Sequence, residues 1–144
     1  MMVPEWGALL ATGSKDGTAR LWRVMDGRCV LTLRGHLDSV NAVAFSSEEY
    51  FVATASSDST AKVWSTLTGK VLCTFAEHNH EVLAVTFSPD GSKVMTGGQD
   101  RRALIWAAAD AKWVKPGALQ PHSGAVTSVA WAPRGHQADL MLTG

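Results

Sequence analysis

The chain repeats itself at a fixed interval. His36, Thr54, Asp58 and Trp64 are followed, 42 positions later in each case, by His78, Thr96, Asp100 and Trp106. Thr12, Asp16 and Trp22 stand 42 positions before Thr54, Asp58 and Trp64, and His122 with Thr143 begins one more copy. A period of that length narrows the fold sharply. Each unit is one supersecondary element that cannot bury its own apolar surface, so neighbouring units must stack on one another.

Inside each unit, short β-rich runs alternate with turn signals. The first copy predicts strands at 8–13, 18–24 and 28–33, and the second at 40–46, 50–56, 60–66 and 70–75. The third predicts strands at 82–88, 93–98, 102–108 and 113–119, and the last at 126–132 and 140–144. No helix is expected. Asp26-Gly27 and Pro89-Asp90-Gly91 are strong turn signals between apolar runs. Pro116-Gly117 falls inside the expected strand 113–119. Proline is tolerated in a strand only at an edge or a bulge, and the fourth strand of such a unit is its outer edge. The third copy also runs two residues long, which places its closing His at 122 instead of 120.

A repeat of this length built from four antiparallel strands points to a propeller blade, giving an all-β fold of blades wedged face to face around an axis. The sequence here resembles the WD-repeat β-propeller family. Two repeats are complete, one lacks its first strand, and one stops after its second. The domain reading is a single propeller segment over 1–144, with repeats at about 1–34, 35–76, 77–120 and 121–144. The dipeptide that names the family is altered throughout, since Arg23, Ser65 and Ala107 follow the three repeat tryptophans.

The resemblance implies that His, Thr, Asp and Trp of each unit form one hydrogen-bonded network. The first complete set is His36, Thr54, Asp58 and Trp64, and the second is His78, Thr96, Asp100 and Trp106. Thr12, Asp16 and Trp22, and then His122 and Thr143, are partial sets. The donor and acceptor capacities are consistent with this. Trp only donates, ionised Asp only accepts, and His and Thr do both.

Composition bears on function. Thirteen basic and 13 acidic side chains cancel, so the chain has no electrostatic footprint for a phosphate backbone or an anionic bilayer. No apolar run approaches the roughly 20 residues of a membrane span. The N-terminal stretch lacks a basic region and breaks its apolar run at Pro4 and Glu5, so no signal peptide is expected. A cytoplasmic or nuclear protein, not a secreted one, is the expectation. Cys29 and Cys73 occupy slots that other copies fill with Val71 and Leu31, so both are expected to be buried thiols acting as small hydrophobes. A disulfide between copies is the alternative.

A His, an Asp and a hydroxyl also invite a hydrolase reading. An active site occurs once, however, and this trio recurs in every unit. No strained Gly-x-Ser-x-Gly elbow and no phosphate loop is present. The pair His78 and His80 is the single hint of a metal site and lacks further ligands. No cofactor or metal is expected. Of the remaining tryptophans, Trp131 aligns with Phe45 and Phe87 and is expected in the core, Trp113 in the outer strand, and Trp6 ahead of the first strand.

The function these features imply is a non-catalytic protein-interaction scaffold, part of a larger propeller protein. The alternatives are a nucleic-acid- or chromatin-associated propeller and a hydrolase-like site on His, Asp and Thr. By resemblance, partners meet the face that carries the Gly-His connection and the Asp turn. The candidates are Lys15, Leu37, Asp38, Ser39 and Ser57, then Asn79, His80, Glu81 and Gln99, then Arg101 and Ser123. Propellers close with about 4–8 blades. An incomplete ring leaves apolar blade faces open, which also implies self-association through them.

Overall fold

The computed structural model describes residues 7–107, 112–113, 119, 121–133 and 141–144. Trp6, Pro116 and Gly117 lie outside these residues. The strands are β1 Leu9–Gly13, β2 Ala19–Arg23, β3 Arg28–Leu33, β4 Val40–Phe45, β5 Phe51–Ser56, β6 Ala61–Ser65 and β7 Val71–Phe75. They continue with β8 Val82–Phe87, β9 Lys93–Gly98, β10 Ala103–Ala107, β11 Lys112–Trp113, β12 Val129–Trp131 and β13 Met141–Thr143. Among the described residues there is no helix. Every pairing is antiparallel, and the sheets are β1-β2-β3, β4-β5-β6-β7, β8-β9-β10-β11 and β12-β13. These are blades 1 to 4 in chain order.

The repetition extends to irregularities of the backbone. A register shift separates Val40 from Ala42 in β4, and the same shift separates Val82 from Ala84 in β8. Another falls beside Trp22 in the β2–β3 pair and beside Trp64 in the β6–β7 pair. Turn tips repeat as well. Gly17, Ser59 and Arg101 all take left-handed φ values of 85°, 72° and 68°. Only the first has no Cβ to strain there.

Blade stacking explains why the alternation usual in antiparallel strands is missing. One core lies between blades 1 and 2, where Leu21, Leu33, Val40, Val52 and Trp64 meet. A second lies between blades 2 and 3, where Ala55, Val63, Phe75, Val85, Val94 and Trp106 meet. Blade 2 is therefore covered on both faces, and every residue of β5 after Phe51 is buried. The matching strand β1 is covered on one face only and has no fully buried residue.

Two expectations change at the edges of the fold. Cys29 is exposed, because β3 is an outer strand and its side chain faces away from the core, whereas Cys73 is buried. Neither cysteine is in a disulfide. Trp131 is half-buried and not a full core residue, and its indole N–H has no hydrogen-bond partner among the described residues. Strand β12 is also shorter than expected. The Val126 amide donates to the Gly98 carbonyl of blade 3 at 3.0 Å, and the Thr127 and Ser128 amides both donate to the Gly144 carbonyl, at 2.7 and 3.0 Å.

Candidate functional site

Each complete blade holds a one-way chain of hydrogen bonds. In blade 2 the Trp64 indole N–H donates to Thr54 Oγ1 at 2.9 Å. The Thr54 hydroxyl donates to His36 Nε2 at 2.6 Å, and His36 Nδ1–H donates to Asp58 Oδ2 at 2.8 Å. In blade 3 the same order runs Trp106 to Thr96 at 3.0 Å, Thr96 to His78 at 2.7 Å, and His78 to Asp100 at 3.0 Å. Each proton has one place in this order, which selects the Nδ1–H tautomer of the neutral imidazole. Strand geometry puts the groups in reach. Thr54 on β5 and Trp64 on β6 share a face of the sheet, and the connection before β4 lays His36 across their outer end.

The partial sets hold partial chains. In blade 1 Trp22 donates to Thr12 at 2.8 Å, while Asp16 accepts from the Thr18 hydroxyl and amide instead of from a histidine. In blade 4 His122 Nε2 accepts from Thr143 at 2.6 Å. The four sets thus occupy one register along the stack.

The aspartates also tie down the loops. Asp58 accepts the amide of Leu37 at 3.1 Å, and Asp100 accepts that of Asn79 at 3.1 Å. Reasoning from the sequence missed a fifth member of the site, two residues after each Asp. Thr18 and Thr60 bond the carboxylate through their hydroxyls at 2.6 Å, but Arg102 takes this place in blade 3. Its guanidinium holds Asp100 Oδ2 at 3.0–3.1 Å and also donates to the Glu77 carbonyl. The signal was present as residues 18, 60 and 102, again 42 apart. Asn41 was missed too: its amide crosses from blade 2 to the Val82 carbonyl at 2.9 Å.

Electrostatics follow burial. Desolvation pulls His36 and His78 below the usual imidazole range, against the opposing pull of Asp58 and Asp100. Burial works to raise Asp58, but hydrogen bonds from Thr60, His36 and the Leu37 amide outweigh it and bring the carboxyl down to about 2. Asp100 is lowered in the same way, with the Asn79 amide and His78 overcoming burial. Neutral histidine beside ionised aspartate is the resting state. A histidine whose folded pKa lies below its unfolded value stabilises the fold fully above about pH 6.5, and that contribution is lost as pH falls. We therefore expect the denaturation midpoint to drop between pH 7 and 5, by up to about 1.4 kcal/mol per pH unit for each histidine. A second loss follows between about pH 4 and 2 as Asp58 protonates. A midpoint that stays flat from pH 7 to 5 would contradict the neutral-histidine assignment.

The partner candidates are placed unevenly. Lys15, Leu37, Asp38, Asn79, His80, Glu81, Gln99, Arg101 and Ser123 are exposed. Ser39 and Ser57 are half-buried and bonded between loops, the Ser57 amide to the Ser39 carbonyl at 2.9 Å and the Ser39 hydroxyl to the Lys15 carbonyl at 3.4 Å. His78 is buried in its blade and His80 is exposed, so the two do not converge. Among the described residues no group of three potential metal ligands comes together.

Four-stranded antiparallel sheets stacked face to face, each carrying a Trp–Thr–His–Asp chain at the same register, define a β-propeller built from sequence repeats. The chain belongs to the WD domain, G-beta repeat family, whose pattern matches residues 3–23, 27–65 and 69–107. The matched units are offset by one strand from the blades. Residues 27–65 take in β3 of blade 1 and then β4, β5 and β6 of blade 2, so each sequence repeat spans two blades.

Mitochondrial division protein 1 of Eremothecium gossypii is 52% identical over 42 residues, which is 29% of this chain and 6% of that protein. WD repeat-containing protein 86 of Homo sapiens is 59% identical over 34 residues, 24% of this chain and 9% of that protein. Nuclear distribution protein PAC1 of Coccidioides posadasii is 47% identical over 49 residues, 34% of this chain and 10% of that protein. The matched stretches thus span a tenth or less of these relatives' lengths. A chain in the crystal structure of the mitotic checkpoint complex superposes with a TM-score of 0.85 at 24% identity, over 96% of this chain and 41% of that one. That likeness is one of fold.

Proposed function

We propose that the chain is a non-catalytic protein-interaction scaffold whose loop rim meets protein or peptide partners. One observation carries the reading. The polar groups able to do chemistry are consumed inside the blades, while the loops pinned by those groups present exposed side chains. The hydrogen-bond order Thr–His–Asp matches that of a hydrolase triad. But Thr54 and Thr96 are 0% exposed and each already accepts an indole N–H, so no substrate carbonyl reaches either hydroxyl. Exposed loop residues on a rigid scaffold are where binding function concentrates. The WD-repeat membership and the WD-repeat relatives support the same reading.

Membership in a larger propeller goes with this reading. Trp64 and Trp106 are 1% and 2% exposed beneath the preceding blade, whereas Trp22 on blade 1 is only half-buried and Leu10 beside it is exposed. That open face is also where self-association would occur. A cytoplasmic or nuclear setting fits two cysteines that form no disulfide. Among the described residues no helix is long and apolar enough to cross a membrane. Nucleic acid is a poor partner for a chain of zero net charge.

The test is a set of alanine substitutions at Asn79, Gln99 and Ser123. Retention of a bound protein on the immobilised chain should weaken while Tm stays unchanged. Weakened retention only in variants that also melt earlier would count against a rim site.

A further inference from the structure

We infer that the partner site of the rim lies where blade 3 meets blade 4, that it holds an extended segment of a partner by hydrogen bonds to the main chain, and that Arg102 is the residue that positions it. This rests on the scaffold reading and names where and how that binding occurs.

The turn at 99–101 is tied to loops on both sides of it. The Gln99 amide donates to the Glu81 carbonyl at 2.8 Å, and the His122 amide, on the connection into blade 4, donates to the Arg101 carbonyl at 2.9 Å. Asp100 accepts the Asn79 amide at 3.1 Å. Arg102 supplies a further tie. Its Nε and Nη2 hold Asp100 Oδ2 at 3.1 and 3.0 Å, and Nη2 also donates to the Glu77 carbonyl. The residues before and after His78 are thus fixed through one guanidinium and one carboxylate. Blade 2 lacks two of these ties. The carbonyls equivalent to those of Glu77 and Arg101 belong to Gly35 and Ser59, and neither accepts a hydrogen bond among the described residues. Arg101 itself takes a φ of 68° in the slot that Gly17 fills in blade 1. That conformation is strained for a residue with a Cβ and persists only where the surroundings over-determine it.

What this fixed surface presents selects the kind of ligand. Asn79 and Gln99 are exposed amides, the first held by its backbone on the Asp100 carboxylate and the second next to Asp100 in the chain. Ser123 is the exposed neighbour of His122. None of the exposed large hydrophobic side chains lies at 77–81, 99–102 or 121–124. Charge selects nothing either, since Glu77, Glu81 and Asp100 stand against Arg101 and Arg102 on these segments, with His80 and His122 beside them. What remains is donors and acceptors in pairs. A carboxamide and a hydroxyl each offer both, which matches the N–H and C=O groups of an extended chain. Loops already immobilised lose little entropy when such a segment docks.

The test uses the full chain and peptides selected on it from a random phage-displayed library. Asn79→Ala and Gln99→Ala should each lower affinity at least fivefold, and N-methylation of single peptide amides should lower it at least tenfold at two or more positions. Arg102→Thr, which installs the residue type of Thr60, should lower affinity at least tenfold and speed exchange of the Asn79 and Gln99 amides in the free chain. Arg102→Lys keeps the charge but not the fork and should behave as Arg102→Thr does. Val52→Ala, in the core between blades 1 and 2, should lower Tm and leave affinity unchanged. Full affinity in Arg102→Lys, or affinity that merely follows Tm across these variants, would overturn positioning by Arg102. Methylation tolerated at every position would overturn main-chain recognition. Peptides lost on Leu37→Asn but not on Asn79→Ala or Gln99→Ala would overturn the blade 3–4 site while leaving the rim reading intact. Peptides indifferent to all of these rim variants, or no recovered peptide at all, would overturn both.

Discussion

Asp58→Ala and His36→Ala each lower stability by about 3–5 kcal/mol, while Asp38→Ala changes it by less than about 0.5 kcal/mol. The contrast separates network from loop, since Asp38 lies in the same connection as His36 but is exposed and its carboxylate accepts the neighbouring Ser39 amide. Removing Asp58 strips the acceptor from His36, from the Leu37 amide and from both donors of Thr60. His36 Nδ1–H is then left with only the Thr60 hydroxyl, at 3.3 Å, in place of a carboxylate, and the buried group loses most of its compensation for desolvation. Removing His36 leaves the Thr54 hydroxyl, at 0% exposure, without its acceptor. At about 2–4 °C per kcal/mol for a chain of this size, Tm falls by roughly 10 °C. Calorimetry reads the total, and amide exchange should show the loss concentrated in β4 to β7. Equal Tm values for the Asp58 and Asp38 variants would remove the network from the account of stability.

The second large effect is a coupling in blade 3. Gly98→Ser destabilises by about 1–3 kcal/mol through overpacking, even though blade 2 carries Ser56 at the same register. A Cβ at Gly98 would lie 2.7 Å from His78 Nδ1 and 2.8 Å from Asp100 Oδ1. In blade 2 the Ser56 hydroxyl fits, donating to the Asp38 carbonyl at 3.2 Å and accepting the Asp58 amide at 3.1 Å. The difference lies in the carboxylates. Asp58 meets its histidine through Oδ2 alone, whereas both oxygens of Asp100 stand 3.0 Å from His78 while Arg102 holds Oδ2. The guanidinium and the missing Cβ therefore belong together. The double variant Gly98→Ser with Arg102→Thr rebuilds the blade 2 constellation and should be milder than the sum of its parts, by about 1–3 kcal/mol. Additivity within about 0.5 kcal/mol would show the two sites to be independent.

Much of this architecture is legible in the residues themselves. The interval of 42 set the number of strands per blade and placed every member of the two complete networks in register. It did so because a stacked repeat must satisfy the same hydrogen bonds in each copy. The residues that vary between copies were harder to read. Arg102 was passed over because it breaks the Thr18 and Thr60 pattern. The expected burial of Cys29 failed because alignment with Val71 assigns a slot, and Val71 itself is exposed on the outer strand.

Sequence alone determined the blade: its strands, its turns and the order of donors and acceptors within it. Those depend on local chemistry that recurs at fixed spacing. Tertiary structure decided which faces of which blades are covered, and hence that Trp64 and Trp106 are sealed while Trp22 is not. It also decided that Leu37 stands free on a backbone held by Asp58. Burial is a property of what stacks against a surface, and an identical residue at an identical register is core or rim according to its neighbour.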